Sequence, residues 1–444
     1  MKDDFESLSQ SLFSERKSSE HIILNLRGET SDFVRVNQSR VRQIGSVSEI
    51  QLSLDYLLQT PMGLKKSSRS LSLTGNLADD KARLKRELDL AREETLLLPV
   101  DPYAELPQIF ESSSSCRRGD LLRPEEIGLK ILTPLKEWDA AGLYAGGKIM
   151  RGFSHSEGLR HWFETENFSW DYSVYTPQQR AIKKTLAGSQ WSDEAFSFQV
   201  QDLRQSLEVL TRPSIKLKRG SYRVYLAPAA VNELLGMLSW GCVGEASMRN
   251  AESPLLKLRA GEASFSDKVS LYEDFSNGFV PRFNSEGELS PECLTIIEKG
   301  QLKSSLVSRR SAKEFGIQST GATPSEGLRS PRLAKGNLSE ESILKTLGSG
   351  LYLSNLHYLN WSDQPAGRVT GMTRFSCFWV EDGKLTAPIE TMRFDDTLFS
   401  IFGSAIEDLT YASNWLADTG TYDMRSLGGA ETPGLLLRDF MLTI

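Results

Sequence analysis

Residues 21–75 read HIILNLRGETSDFVRVNQSRVRQIGSVSEIQLSLDYLLQTPMGLKKSSRSLSLTG, and this stretch decides the fold class. His21 to Arg27, Phe33 to Gln38, Val41 to Gly45, Val47 to Leu58 and Leu64 to Gly75 are short runs of β-branched and alternating residues, parted by Gly, Ser or Pro. A period of two belongs to strands that bury one face, and gaps of a few residues join such strands as antiparallel neighbours. Parallel neighbours would need crossover helices that these gaps cannot hold, so an antiparallel meander is expected and a doubly wound sheet is not.

Working outward, Phe5, Leu8, Leu12 and Phe13 recur at helical spacing and predict an amphipathic helix lying on the meander. On the other side, Asn76 is a candidate N-cap, Leu77, Leu84, Leu88 and Ala91 mark one face of a charged helix, and Pro99 closes it. Ser112 to Ser115 reads as a loop before a helix near Pro124. Ile149 to Phe153, the turn Ser156-Glu157-Gly158 and Arg160 to Tyr175 predict a β-hairpin, and a helix follows from Asp193 to Leu210 before Pro213.

Beyond Pro213 the texture changes. Strands are predicted at Ile215–Lys218, Tyr222–Leu226, Leu255–Leu258, Lys268–Tyr272, Leu294–Glu298, Leu302–Val307 and Arg374–Val380, with one early helix from Pro228 to Trp240. The expected fold is α+β: an N-terminal antiparallel or mixed sheet with flanking helices over residues 1–213, then a β-rich, barrel-like domain over residues 214–444.

Composition narrows the function classes. The 444 residues suffice for two large domains, and 39% hydrophobic with 25% charged residues is ordinary for a folded protein. A net charge of −6 gives no long-range pull on phosphate, so no nucleic-acid partner is expected. The acidic start Met1-Lys2-Asp3-Asp4 lacks the pattern of an export signal, and uncharged Leu234 to Gly244 is too short to span a membrane. Four cysteines, Cys116, Cys242, Cys293 and Cys377, show no short metal-ligand spacing, and the expected compartment is the cytoplasm.

Candidate chemistry is sparse, because His21, His155, His161 and His357 are the only histidines. His155 and His161 flank Ser156-Glu157-Gly158, so a tight turn could gather His155, Glu157 and His161 as a metal-binding set. The plainer alternative is solvent-facing decoration of a hairpin. Cys242 and Cys377 sit among apolar residues and read as core, while Asp395 and Asp396 read as helix-capping residues rather than an acid/base pair. Gly146-Gly147-Lys148 and Gly348-Ser349-Gly350 read as turns, since neither has the spacing of a phosphate-binding loop.

A series in the second half carries more. Phe283-Asn284-Ser285-Glu286-Gly287, Ile296 to Leu302, Ser311-Ala312-Lys313, Ser319-Thr320-Gly321, Gly350 to Leu353, Thr370 to Thr373 and Phe378 to Leu385 occur in that order. Together with Ser154-His155-Ser156-Glu157-Gly158, the series resembles the TldD/PmbA family, also called TldD/TldE or the modulators of DNA gyrase. The resemblance implies a relation to zinc metallopeptidases that act on small unfolded peptides. In the TldD branch a His-Glu-x-x-x-His helix binds zinc, with two imidazoles as ligands and the glutamate activating water. Set against that motif, this chain has Gly236 and Met237 at the His-Glu positions and Gly241 at the second His, and a later cysteine ligand falls near Trp361. The resemblance therefore implies the PmbA (TldE) branch: no catalytic residues and no cofactor on this chain, zinc only on a TldD-like partner, and a peptide substrate. The alternatives are an active metallopeptidase using His155, Glu157 and His161, or a stand-alone peptide-binding protein. The apolar runs Pro433 to Leu437 and Phe440 to Leu442 suggest self-association as a homodimer, or packing into the chain's own barrel.

Overall fold

Alternating burial organises the first half of the computed structural model, which describes residues 1–107 and 111–443. Strands β1 (Glu20–Asn37), β2 (Arg40–Thr60) and β3 (Gly63–Ser72) form the expected antiparallel meander, but the five short runs merge into three long strands. Gly28 does not break β1; it lets the strand pass beneath Met150, whose methyl would lie 3.2 Å from an added Cβ. The actual turn is at Gln38 and Ser39, both at φ 52°, as a two-residue hairpin with the twist of its strands requires.

The meander continues through β5 (Asp139–His155) and β6 (Arg160–Tyr175), while β4 (Ser113–Arg117) and β7 (Ala181–Gly188) share the outer edge of β6, giving the order β3-β2-β1-β5-β6-β4 with β7 beside β6. The serine-rich stretch expected as a loop is thus a strand, parallel to β6 from Ser113 opposite His161 to Arg117 opposite Thr165. Its small polar side chains carry no alternation to announce it.

Helices α1 (Lys2–Phe13) and α2 (Leu77–Leu97) cover one face of this sheet. Phe5, Leu8, Leu12, Leu84 and Leu88 bury themselves on Leu24, Leu26, Leu52 and Leu54, each full burial contributing about 1.5–3 kcal/mol. Asn76 caps α2 as expected, accepting from the Ala78 and Asp79 amides. The segment after Pro124 is irregular and ends in the single turn α3 (Thr133–Leu135), whereas α4 (Asp193–Leu210) starts on its Ser192 cap.

The second sheet uses strands from Gly220 onward: β8 (Gly220–Leu226), β9 (Leu271–Asp274), β10 (Cys293–Glu298), β11 (Gln301–Leu302), β12 (Pro331–Leu333), β13 (Gly350–Asp363), β14 (Arg368–Glu381), β15 (Lys384–Pro388), β16 (Arg393–Thr397), β17 (Ile406–Ala417) and β18 (Gly429–Leu442). Strand β18 pairs with β16 and also with β8, so β8-β13-β14-β16-β18 closes on itself as a five-stranded ring. Helix α5 (Pro228–Ser239) packs Ala230, Val231, Leu234 and Leu238 into the ring's core. Short helices α6 (Glu245–Arg249), α7 (Leu256–Arg259), α8 (Arg309–Phe315) and α9 (Ile343–Leu347) fill the connections.

Several expectations are corrected. Leu255–Leu258 lies largely in a helical turn, Ile215–Lys218 contributes only a bridge from Ile215 to Ile389, and the strand expected at Leu302–Val307 shortens to β11. Each is a short apolar run, whose period alone cannot separate strand from helix or loop. The terminal runs are interior: Leu435, Leu436, Leu437, Phe440 and Leu442 are buried in the chain's own sheet, which removes them as an association surface.

The halves are joined through Arg425, in the connection between β17 and β18. Its guanidinium donates to Ser31 Oγ on β1, the Gly147 carbonyl on β5 and the side-chain and main-chain oxygens of Asn167 on β6, while its own amide donates to Glu29.

Truncating Phe440 to Ala should cost about 3–5 kcal/mol of stability in urea denaturation, because a fully buried ring is lost from the closing strand. A loss below ~1 kcal/mol would place this strand outside the core.

Candidate functional site

A concavity of about 950 Å³ lies between the uncovered face of the first sheet and α5. Pro228 opens α5 at its first turn, where no amide is needed, and the apolar residues at helical spacing turn inward. That leaves Asn232, Glu233, Gly236 and Ser239 on the wall of the cleft. The opposite wall is polar: Asn25 and Arg27 from β1, Gln51 and Ser53 from β2, Ser70 from β3 and Arg151 from β5. These alternate with the leucines that carry α1 and α2, so one strand pattern builds both the core and the site.

Zinc does not fit α5. Gly236 opens bare backbone to the cleft, and a Cβ there would meet nothing within 4 Å, so a ligand side chain has room but none is present. Met237 is buried in the core and offers a thioether, a poor ligand for this ion. Gly241 takes φ 84°, and an added Cβ would stand 2.7 Å from Nε2 of Gln364, whose side chain occupies that place. Among the described residues, no group of three or more His, Cys, Asp or Glu is gathered to hold a metal ion.

The hairpin candidates are brought close but turned to different partners. His155 and His161 are buried, not solvent-facing: the Gly287 carbonyl of the second half meets His161, and His155 stacks on His21. His161 spends both ring nitrogens: Nδ1 accepts from the Ser113 amide at 3.2 Å, and Nε2 donates to the Gly287 carbonyl at 3.2 Å. His155 Nδ1 accepts from the Glu157 amide, its ring stacks on His21 at 5.9 Å, and the Glu157 carboxylate lies 3.1 Å from His21 Nδ1. Burial lowers all three imidazoles, His155 to about 4.

The remaining candidates are structural. Burial raises the thiols of Cys242 and Cys377, the latter to about 11, against the need of a nucleophile. Asp395 pairs with Arg368 at 2.6 Å and Asp396 accepts the Thr397 amide, both on β16 rather than on a helix cap. Within the cleft, burial raises the carboxyl of Glu233, with only Lys183 opposing the shift. Burial and Arg27 lower the guanidinium of Arg151 to about 10. The arginines of the sheet face were not singled out by sequence reasoning; the signal was their strand parity, which needs the cross-strand register to be useful.

A family model described as the PmbA/TldA metallopeptidase C-terminal domain matches residues 219–443. A 109-residue segment is 35% identical to metalloprotease PmbA of Escherichia coli O157:H7, covering 24% of this chain and 22% of that protein, so the match spans about a fifth of that relative's length. TldE of Thermococcus kodakarensis superposes over 99% of this chain and 100% of its own, with a TM-score of 0.74 at 15% identity. A protein described as a candidate modulator of DNA gyrase, from Bacteroides thetaiotaomicron, gives 0.75 at 15% identity over 100% of this chain and 98% of its own. The chain belongs to the PmbA/TldD family, a peptidase-related family, and shares the fold of TldE. No helix among the described residues is long and apolar enough to cross a membrane.

The buried imidazoles set a pH dependence. Their folded pKa lies below the unfolded 6.5, so the unfolded chain binds more protons between those values, and stability is full above pH 6.5 and falls toward pH 4. Raised carboxyls such as Glu286 act with the opposite sign, losing stability as pH rises above 4.5. In urea titrations at stepped pH, His155→Gln should flatten the fall between pH 6.5 and 4 relative to wild type, by at most about 1.4 kcal/mol per pH unit. Parallel curves for the two proteins would show that His155 does not titrate as argued.

Proposed function

We propose that this chain is a non-catalytic PmbA/TldE-like subunit whose cleft forms part of a channel for small unfolded peptides, with hydrolysis carried out on a TldD-like zinc subunit. The observation that supports this reading is at α5 and the turn after it, where the positions aligned with the catalytic motif are held by Gly236 on the cleft wall, Met237 in the core and Gly241 beyond the helix, none of them able to bind zinc. A cleft of about 950 Å³ walled by hydroxyls and amides accepts an extended chain and excludes folded proteins by access. Peptides held through their backbone are recognised with little sequence preference, as suits a processing or degrading assembly. A TldD-like chain is the partner this reading favours, and a second copy of this chain is the other. A cytoplasmic assembly is the corresponding setting.

Purified alone, the chain should carry far less than one zinc per molecule by mass spectrometry and should not cleave a mixture of unstructured peptides. Chelator-sensitive cleavage should emerge on mixing with a TldD-like chain from the same source. Cleavage by the isolated chain that a chelator abolishes, and that a His155/His161 double replacement removes, would overturn this reading in favour of a metallopeptidase with unconventional ligands.

A further inference from the structure

The cleft holds a cation pair that the fold itself does not neutralise. Antiparallel register sets Arg27 on β1 directly opposite Arg151 on β5, so both side chains leave the same face of the sheet. Like charges directly opposed across two strands destabilise a sheet. Neither is well compensated. Arg151 donates one N–H to the Met150 carbonyl at 2.8 Å, and among the described residues no carboxylate lies within salt-bridge distance of it. Arg27 reaches only Asp423, at 3.5 Å, where both side chains are about half exposed and the attraction is screened. Glu29, the acidic group that acts on Arg151 from the same strand face, already accepts from Ser31 and from the Arg425 amide.

The other charges of the cleft do not change this. Glu233, on the α5 wall, feels Lys183 and not the arginine pair. Arg329 is held by the carbonyls of Pro281, Phe283, Arg282 and Gly321, by the Ser290 hydroxyl and by an ion pair to Glu273 at 3.8 Å. Asp418, also on the cleft wall, accepts from the Gly420 amide and forms no ion pair with either arginine, so Arg151 is a sheltered guanidinium with unused donors.

We propose that Arg151, with Arg27 beside it, anchors a carboxylate of the bound peptide, either its C-terminal carboxylate or an acidic side chain. A guanidinium presents a planar fork that takes both carboxylate oxygens at once, and the charge-assisted bonds gain strength where the walls limit solvent. Asn25, Gln51, Ser53 and Ser70 lie in rows beside the pair and can hydrogen-bond the backbone of an extended peptide leading from the anchor. The anchor rests on the peptide-channel reading above and adds orientation to it: one charged end is fixed relative to α5.

Fluorescence anisotropy on the full chain at low salt tests the proposal with one unstructured peptide in three forms. The first has a free C-terminus and no acidic side chain, the second is amidated but carries two aspartates, and the third is amidated and uncharged. Wild type should bind at least one carboxylate-bearing form about tenfold more tightly than the uncharged one, and which form it prefers tells a terminal from a side-chain carboxylate. Arg151→Gln should abolish that preference while binding the uncharged peptide as wild type does, and its melting temperature should equal or exceed the wild-type value because the like-charge contact is relieved. Arg151→Lys, which keeps the charge without the fork, should fall between. Equal binding of all three forms by wild type, or a preference that survives Arg151→Gln, overturns the anchor and leaves the channel standing. Binding of none of them at millimolar concentration overturns the channel and the anchor together.

Discussion

Arg425 is the contact on which the arrangement of the molecule depends. A guanidinium 5% exposed, with no carboxylate in ion-pair range among the described residues, it is satisfied by oxygens on three adjacent strands, β1, β5 and β6. Burial lowers it to about 10, yet at neutral pH it stays charged and therefore demands those oxygens. Since it sits in the connection to β18, satisfying it sets the first sheet against the ring at one height. Arg310 with Asp101 and His161 with the Gly287 carbonyl tie the same two halves at other points.

Around this lock, the same helix that has no ligands for a metal is packed as carefully as a catalytic one would need to be. Glu245, just beyond α5, is pushed up by burial but held to about 2 by hydrogen bonds from Arg259, Ser305 and Arg249, which fixes the chain after the helix. Gln364 stands over Gly241, and the left-handed backbone there admits glycine readily. A metal-ligating side chain placed at Gly241 would thus meet both strain and an occupied volume, whereas Gly236 has open space before it. Packing thus opposes a ligating side chain at Gly241 and leaves room for one at Gly236.

Some of this was legible in the chain and some was not. Proline at the start of α5, the Asn76 cap and Pro213 are local signals, and the helices they bound sit where they predict. Alternation along residues 21–75 gave the meander, although glycines at 28 and 45 read as breaks when one merely allows close passage. Ring closure was not legible, because Gly220 pairs with Leu442 across the whole second half and no window of sequence contains both. For the same reason the Arg27–Arg151 contact was invisible: each arginine is unremarked in its own strand, and only register makes them a pair. His161 is met by a turn more than a hundred residues away, so a hairpin flank that reads as exposed becomes interior.

Strand β18 is made long after β8, the first strand of that half, and closes the ring by pairing with it. During synthesis at about 5–20 residues per second, β8 and α5 leave the ribosome well before their partner exists. The first sheet can assemble on the emerging chain, but the second half must wait, with Leu226, Leu234 and Leu353 lacking their final cover until β18 emerges. A ribosome that stalls before β18 has emerged would therefore carry a nascent protein with one finished half and one exposed core, a natural client for a holding chaperone.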